Sequence, residues 1–248
     1  AIAHERGGEL AVQATIELAH AYAKGKGVAQ DTKQASGLYK SAIKKGAGVE
    51  AQYGLAEIYC DAKDYRNGIK WLEAADKRDS SYGPTSFKLG QLYEKGHGVY
   101  PDAHTAYDYY MQSAMECDYA PAIFHVGTMF LDGPKNGGFL EKNQKKGIEY
   151  YKAAAKLGFA EAQYNLGLLC YYGDNGVTKN DRLALEHTRQ AAAQGHEAAH
   201  DFLCMIDESY TPPSAQADDE ADEDGKKKKK SRRGGKKKKK NGGGGGGG

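Results

Sequence analysis

Long apolar runs are missing from this sequence of 248 residues. No stretch comes near the roughly 18 consecutive apolar residues of a membrane-spanning helix, so we expect no membrane insertion. The N-terminal residues carry charged side chains and adjacent glycines at positions 7 and 8. They therefore lack the apolar segment of a secretory signal.

Cysteine is also scarce. The four cysteines, Cys60, Cys117, Cys170 and Cys204, lie far apart, and no Cys-x-x-Cys pair occurs. This spacing offers no disulfide framework and fits a reducing compartment, so we expect a cytoplasmic or nuclear protein. Cys60 and Cys170 fall near the ends of predicted helices, where we expect buried free thiols.

Sequence signatures of catalysis are missing as well. We find no Ser/His/Asp order, no carboxylate pair in a distinctive context and no cofactor fingerprint. The pairs Gly25-Lys26-Gly27 and Gly96-His97-Gly98 could belong to a phosphate-binding loop, but no strand precedes them and they recur at one phase of a repeat. We predict that they are turns, and that the chain is not an enzyme and has no catalytic residue, cofactor or metal.

A metal site near the C-terminal end of the repeats is an alternative. His196, His200 and Cys204 are spaced i, i+4 and i+8, which on a helix would present metal ligands on one face. A fourth ligand is not evident, and Cys204 falls at a position that is small in every copy of the repeat described next. We therefore favour a packing role for these residues.

An internal repeat is the main feature that the sequence does contain. Similar segments recur, as in Ala162-Gln-Tyr-Asn-Leu-Gly167 and Ala51-Gln-Tyr-Gly-Leu-Ala56. The first residue of each copy, here called the anchor, is followed four residues later by Leu or Val and then by a small residue. This spacing predicts one face of an α-helix, and the small residue predicts a close contact with another helix. The anchors are Ala14, Ala51, Thr85, Ala122, Ala162 and Ala199.

A turn and a second helix complete each repeat. Glycine stands eleven residues after four of the anchors, where it favours the end of a helix. The second copy has the short turn Ala62–Tyr65 instead, and the fourth has an insertion over residues 133–139. Each second helix is predicted to carry an alanine in its last turns. The turn glycines are Gly25, Gly96, Gly133 and Gly173, and the alanines are Ala42, Ala75, Ala114, Ala154 and Ala191.

These motifs resemble the Sel-1-like repeat family, which is related to tetratricopeptide repeats. The residues that carry the resemblance are the Ala-x-x-x-Leu-Gly start, the Tyr-x-x-Gly-x-Gly-Val turn at Tyr93–Val99 and the Tyr-x-x-Ala-Ala-x-x-Gly close at Tyr151–Gly158. The resemblance extends over about residues 9–207. It implies an all-α fold, an α-solenoid of about five helix-turn-helix repeats that forms a right-handed superhelix with a long groove.

The resemblance also implies a function. Grooves of this family bind other proteins, so we expect a protein–protein interaction scaffold or adaptor. Two alternatives stay open: a nucleic-acid- or ribosome-associated protein that acts through its tail, and the targeting arm of a longer enzyme. Surplus tyrosines at Tyr107–Tyr110 and Tyr171–Tyr172 could anchor a partner, although such residues more often belong to the core.

The C-terminal tail differs from the rest in composition. The formal net charge of +2 includes 12 basic and 6 acidic residues after Thr211, which leaves 23 basic and 27 acidic residues, or −4, before it. We predict a solenoid over residues 1–210 and a disordered acidic, polylysine and polyglycine tail over residues 211–248, because no apolar residue follows Ala221. The basic segment of this tail could serve nuclear import or nucleic-acid binding. It consists of Lys226, Lys227, Lys228, Lys229, Lys230, Arg232, Arg233, Lys236, Lys237, Lys238, Lys239 and Lys240.

The first residues suggest a piece of a longer protein. The segment Ala3–Gly7 keeps the Ala-x-x-x-Gly spacing that ends later second helices, such as Ala42–Gly46. Since a solenoid needs a polar cap at each end, a helix end with no helix before it indicates further repeats or another domain upstream. The C-terminal cap would be a helix from His196 to about Glu208.

Removal of Lys226–Gly248 should leave the thermal melt unchanged, because this segment contributes no packed apolar surface. If the tail binds RNA or DNA, the truncated chain should bind it more weakly and with a smaller salt dependence, since fewer phosphate contacts release fewer counterions. Fluorescence anisotropy with a labelled RNA over a series of salt concentrations measures both quantities. An unchanged affinity and salt slope would place such binding on the solenoid.

Overall fold

The computed structural model of the chain describes residues 2–133 and 140–212, with side chains from residue 9 onward. Over these residues the structure consists of eleven α-helices without a strand, which confirms the predicted all-α solenoid. The helices are α1 (Ile2–Lys24), α2 (Thr32–Lys44), α3 (Val49–Asp61), α4 (Tyr65–Arg78), α5 (Gly83–Lys95), α6 (Ala103–Met115), α7 (Ala120–Asp132), α8 (Gln144–Lys156), α9 (Ala160–Tyr172), α10 (Asp181–Ala193) and α11 (Glu197–Ile206).

The helices pack in chain order as five hairpins and a single terminal helix. Each hairpin, such as α3 with α4, packs on the next, and α11 closes the stack against α10. We call the first helices of the repeats (α1, α3, α5, α7, α9 and α11) the odd layer and the second helices (α2, α4, α6, α8 and α10) the even layer. A hairpin cannot bury its apolar face alone, so stacking is what builds a continuous core.

Side-chain caps begin the helices of the even layer. Each of these helices follows an Asp or Asn whose side-chain oxygen accepts hydrogen bonds from N–H groups in the first turn, which would otherwise lack a partner. Asp31, for example, accepts bonds of 3.0 Å and 2.9 Å from the N–H groups of Lys33 and Gln34. The five caps are Asp31, Asp64, Asp102, Asn143 and Asn180.

Left-handed residues end most helices of the odd layer. The predicted turn glycines Gly25, Gly96 and Gly173 have φ angles of 68°, 67° and 72°, a region that glycine enters without the clash of a Cβ. In the second repeat, Lys63 takes this conformation at φ 61° in the short turn between α3 and α4. The turn prediction is confirmed in both forms.

Small residues meet where the two helices of each hairpin cross. A Cβ added to Gly90 would lie 2.7 Å from the ring of Tyr110 and 3.1 Å from the carbonyl oxygen of Ala106. A Cβ on Gly127 would lie 3.0 Å from the carbonyl oxygen of Gly147. The predicted close contact is confirmed, and the even-layer helix also carries a small residue at this point. The pairs are Ala19/Ala35, Ala56/Gly68, Gly90/Ala106, Gly127/Gly147 and Gly167/Ala184.

The anchors and the residues four positions later form the core between hairpins. From the second repeat on they are almost completely buried, as at Leu55 and Leu89. The first repeat differs, because Ala14 is exposed and Leu18 is 44% exposed. In later repeats these positions face the preceding even-layer helix, and the described residues contain no such helix before α1.

In α6, the second helix of the third repeat, the predicted alanine Ala114 lies one residue beyond the position that aligns with the alanines of the other repeats. Ser113 occupies the equivalent position, is fully buried and donates a hydrogen bond of 2.7 Å to the carbonyl oxygen of Gly83. The turn that follows is one residue longer, since the N–H of Tyr119 bonds to the carbonyl oxygen of Ser113, six residues back, whereas the bond spans five residues in three other repeats. This insertion shifts the apparent alignment.

Two further expectations about the ends of the stack are wrong. Residues 3–7 do not end a helix, because α1 continues from Ile2 to Lys24; a glycine inside a helix costs about 1 kcal/mol but does not stop it. The packing role predicted for Cys204 is wrong, since its side chain is exposed and no described helix follows α11 to cover it. The predicted terminal helix is present as α11.

The chain divides into two units, Ala1–Glu208 and Ser209–Gly248. The first is the helical stack, and of the second the structure describes only residues 209–212. The predicted tail with its basic segment at residues 226–240 lies outside the described residues, as does most of the predicted insertion at 133–139. In the described part of the chain, no helix has the length and apolar character needed to cross a membrane.

Gly90→Leu and Gly167→Leu should each lower the free energy of unfolding by about 1–3 kcal/mol, because the new side chain enters the hairpin crossing. Gly37→Ala is the matched control, since Gly37 lies in α2 with nothing within 4 Å of an added Cβ. That change should raise stability by about 0.5–1 kcal/mol. Urea denaturation followed by circular dichroism measures all three, and an unchanged midpoint for both leucine variants would mean that the helix register is wrong.

Candidate functional site

Aromatic side chains join neighbouring repeats along the odd layer. In four repeats the residue two positions after the anchor is aromatic, and it packs on the ring that immediately precedes the next odd-layer helix. Ring centroids are 5.6 Å apart for Tyr53 and Tyr82 and 5.4 Å apart for Phe124 and Phe159. Such contacts contribute about 0.5–1.5 kcal/mol each beyond the area they bury. The other two pairs are Phe87/Tyr119 and Tyr164/His196.

Glutamates lie beside these rings. Glu94 accepts a hydrogen bond of 2.8 Å from the hydroxyl of Tyr110, and Nε2 of His125 lies 3.6 Å from the same carboxylate oxygen. His125, and after it the Tyr110 hydrogen bond, hold the pKa of Glu94 below its ordinary value. Oε2 of Glu161 lies 2.7 Å from Nε2 of His196. Both carboxylates therefore have a histidine partner in the next repeat.

Glu57 in α3 is bound less tightly than these two glutamates. Its Oε1 lies 3.5 Å from the hydroxyl of Tyr53, at the limit of a hydrogen bond, and its Oε2 lies 3.7 Å from Nζ of Lys24 in α1. The side chain of Lys24 is 52% exposed, so water screens this ion pair and makes it weak. The carboxylate of Glu57 thus keeps capacity to accept further hydrogen bonds.

Four tyrosines lie close enough to Glu57 for its negative charge to act on them. Tyr39 comes from α2 and Tyr53 from α3, while Tyr82 and Tyr119 immediately precede α5 and α7. Burial raises the pKa of all four phenols, and the negative charge of Glu57 adds to the increase, although at Tyr82 the charge of Glu50 adds more than that of Glu57. The hydroxyls therefore stay protonated at neutral pH and can donate or accept hydrogen bonds. We call these five residues the Glu57 cluster.

Charge is divided between the two layers. Odd-layer helices carry 11 acidic and 4 basic residues, a balance of −7, whereas even-layer helices carry 6 acidic and 13 basic residues, a balance of +7. Helix α3 contributes Glu50, Glu57 and Asp61 and no basic residue. The Glu57 cluster therefore lies on a layer whose potential attracts cations.

The residues that were considered as metal ligands do not converge. His196 precedes α11 and caps it, since its Nδ1 accepts a bond of 3.2 Å from the N–H of Ala199 while its Nε2 contacts Glu161. It is thus engaged away from the helix face that carries Cys204. Among the residues that the structure describes, no group of three or more His, Cys, Asp or Glu side chains is arranged to hold a metal ion.

The predicted thiols and surplus tyrosines divide between core and surface. Cys60 and Cys170 are buried free thiols, as expected, and burial raises the pKa of both, which keeps them in the unreactive thiol form. Tyr110 is fully buried, whereas Tyr172 is 64% exposed. The surplus tyrosines therefore do not form one common binding surface.

Sequence reasoning missed the Glu57 cluster. The available signal was an aromatic residue two positions after one anchor combined with another three positions before the next anchor, as at Tyr53 and Tyr82. This pattern predicts contacts between repeats once the register is known. It does not indicate which glutamate lies beside the rings, because the position of each glutamate depends on the angle at which one hairpin packs on the next.

A family model described as "Sel1 repeat" matches residues 12–46, 49–75, 86–116, 120–159 and 160–196. The five matches follow the five helix hairpins in order and together cover more than half of the chain.

Curated relatives share parts of this sequence. Chitin synthase regulatory factor 3 of Schizosaccharomyces pombe is 32% identical over 185 residues, which are 69% of this chain and 19% of that protein. The Sel1-repeat-containing protein YjcO of Escherichia coli is 30% identical over 138 residues, 53% of this chain and 59% of that protein. Chitin synthase regulator SKT5 of Saccharomyces cerevisiae is 23% identical over 197 residues, 74% of this chain and 27% of that protein. The chain thus spans less than two thirds of the length of each.

Solved structures show the same fold. A Sel1 repeat protein from Oxalobacter formigenes has a TM-score of 0.63 at 22% identity and covers 83% of this chain and 82% of its own. Immunity protein Pa5087 from Pseudomonas aeruginosa has a TM-score of 0.58 at 21% identity and covers 83% of this chain and 74% of its own. Because five repeat matches coincide with five stacked hairpins, this chain belongs to the Sel1 repeat family.

Proposed function

We propose that this chain is a non-catalytic scaffold that binds protein partners on the odd layer. Sel1 repeat proteins are in general protein-interaction scaffolds. The observation that carries the proposal is the combination, on one layer, of a net negative charge with half-buried tyrosines. Tyrosine offers a large apolar ring and a hydrogen-bonding hydroxyl, and it is enriched at protein interfaces.

The even layer fits this role less well. On α2, for example, Lys33, Lys40 and Lys44 are exposed, and α2 carries no acidic residue. Lysine is depleted in interface cores, because its long side chain loses rotamer freedom and its ammonium group loses water on burial. We therefore assign partner binding to the odd layer and solvent contact to the even layer.

An enzyme is one concrete kind of partner. Two fungal relatives are named as a chitin synthase regulatory factor and a chitin synthase regulator. A scaffold that engages an enzyme through the odd layer agrees with the geometry described above. Regulation of an enzyme by this chain is part of our proposal.

The other expectations from the sequence stay predictions. They are a nucleic-acid or ribosome partner bound through the basic segment at residues 226–240, a targeting arm of a longer enzyme, and a cytoplasmic or nuclear location. The negative odd layer would repel the phosphates of a nucleic acid, so we assign protein partners to that layer.

Affinity capture with charge-reversed baits tests the proposal. The odd-layer variant is Glu50→Lys with Asp61→Lys, and the matched even-layer control is Lys33→Glu with Lys40→Glu; all four side chains are exposed. We expect the odd-layer variant to retain at least about fivefold less of the specific partners, because juxtaposed like charges cost several kcal/mol. The control and a chain that ends at residue 210 should retain them.

Quantitative mass spectrometry of the captured proteins provides the measurement, with thermal melts to show that each bait is folded. If the even-layer control loses the partners while the odd-layer variant keeps them, the assignment to the odd layer is wrong. If the chain that ends at residue 210 loses them, the tail carries the binding.

A further inference from the structure

We infer that the Glu57 cluster binds a lysine or arginine side chain of the partner protein. The inference rests on the proposed function, since it assigns a partner chemistry to the same odd layer. Glu57 supplies the negative charge, and the half-buried rings of Tyr53 and Tyr82, whose centroids are 5.6 Å apart, supply a partly dehydrated surface beside it.

The carboxylate of Glu57 has unused acceptor capacity. A carboxylate offers about four acceptor positions. Glu94 and Glu161 fill part of theirs with contacts of 2.8 Å and 2.7 Å, whereas the two contacts of Glu57 are 3.5 Å and 3.7 Å long. Its side chain is 27% exposed, so a group from solvent can reach it. Glu94 and Glu161 are more exposed, at 42% and 47%, but shorter contacts already engage their acceptor positions. Of the three glutamates, Glu57 therefore has the most acceptor capacity left for an external donor.

The surrounding tyrosines favour a cation over other groups. A cation near an aromatic ring is attracted by the negative face of the ring, and this attraction strengthens when water is partly excluded. The phenol hydroxyls stay neutral because burial and the charges of Glu57 and, at Tyr82, of Glu50 raise their pKa values, so they add no competing charge. An anion would be repelled by Glu57 and by the exposed Glu50 on the same helix.

Lys24 shows the approach that such a cation would take. Its ammonium group reaches Glu57 from the neighbouring helix of the odd layer, which demonstrates that the carboxylate is accessible to an amine on this side. The pair is long and more than half exposed on the lysine side, so it contributes little. A partner's ammonium or guanidinium group can replace it and form a shorter charge-assisted hydrogen bond.

The test compares two variants of the full chain, Glu57→Gln and Glu50→Gln. Both remove one negative charge from α3, but Glu57 contacts the hydroxyl of Tyr53 and the ammonium group of Lys24, whereas Glu50 is exposed and acts on Tyr82 through its charge. The probe is a short fluorescein-labelled peptide that alternates glycine and lysine, and fluorescence anisotropy measures its binding. Glu57→Gln should weaken binding about tenfold, since a hydrogen bond to a charged group amounts to roughly one decade in affinity. Glu50→Gln should weaken it less than about threefold, as expected of an exposed, screened charge.

Two further comparisons separate the cluster from general attraction between charges. Lys24→Gln removes the internal competitor and should strengthen binding of the lysine peptide more than Lys95→Gln does, although both remove one positive charge from the odd layer. The same peptide with acetylated lysines should not bind measurably, because acetylation removes the cation. Thermal melts of all variants establish that they are folded.

Equal losses for Glu57→Gln and Glu50→Gln would show that the peptide senses only the net charge of the layer and would overturn the site. Comparable binding of the acetylated peptide would overturn it too. If the site fails in this way while captured partners still depend on the odd layer, the proposed function stands without it. If the peptide behaves as expected but the odd-layer variant captures the same partners as the unchanged chain, the site stands and the proposed function fails.

Discussion

The close approach of two helices at one small-residue crossing is the constraint on which the rest of this structure depends. At Gly127 and Gly147 the backbones are so near that an added Cβ would lie 3.0 Å from a carbonyl oxygen. A narrow crossing leaves space beside it for a large ring. At the crossing of Gly90 and Ala106 this ring is Tyr110, which is completely buried. That ring reaches the next repeat, where it lies 4.3 Å from the ring of His125. The contact within a hairpin thus sets the spacing between hairpins.

Much of this arrangement could be predicted, because the residues responsible are close together in the sequence. The glycine turns at Gly25 and Gly96 follow their anchors at a fixed distance, and a left-handed backbone leaves few other choices of residue. The small residue of the odd layer was visible for the same reason. Its partner on the even layer was missed, because Gly68 and Ala106 follow turns of different length and fall out of phase in the sequence. The single-residue insertion before Tyr119 misled the alignment in the same way.

The Glu57 cluster was harder to predict because its members come from two helices, α2 and α3, and from the residues that immediately precede α5 and α7. Tyr39, Tyr53, Tyr82 and Tyr119 each occupy a position that local periodicity explains as packing. Their common environment arises only when successive hairpins stack and bring the ends of three repeats to one place. The weak pairing of Glu57 leaves no trace in the sequence pattern. The distance of 3.7 Å between its carboxylate and the ammonium group of Lys24 is a property of the tertiary structure.

The net charges of −7 on the odd-layer helices and +7 on the even-layer helices give the stack a transverse electric dipole. A charged partner would therefore experience a torque in addition to an attraction, over a range set by the Debye length of about 8 Å at physiological ionic strength. The partner would turn its basic surface toward the odd layer before the first contact forms. Added salt would then slow association more than it would hasten release, because steering acts on the encounter while short-range contacts hold the complex.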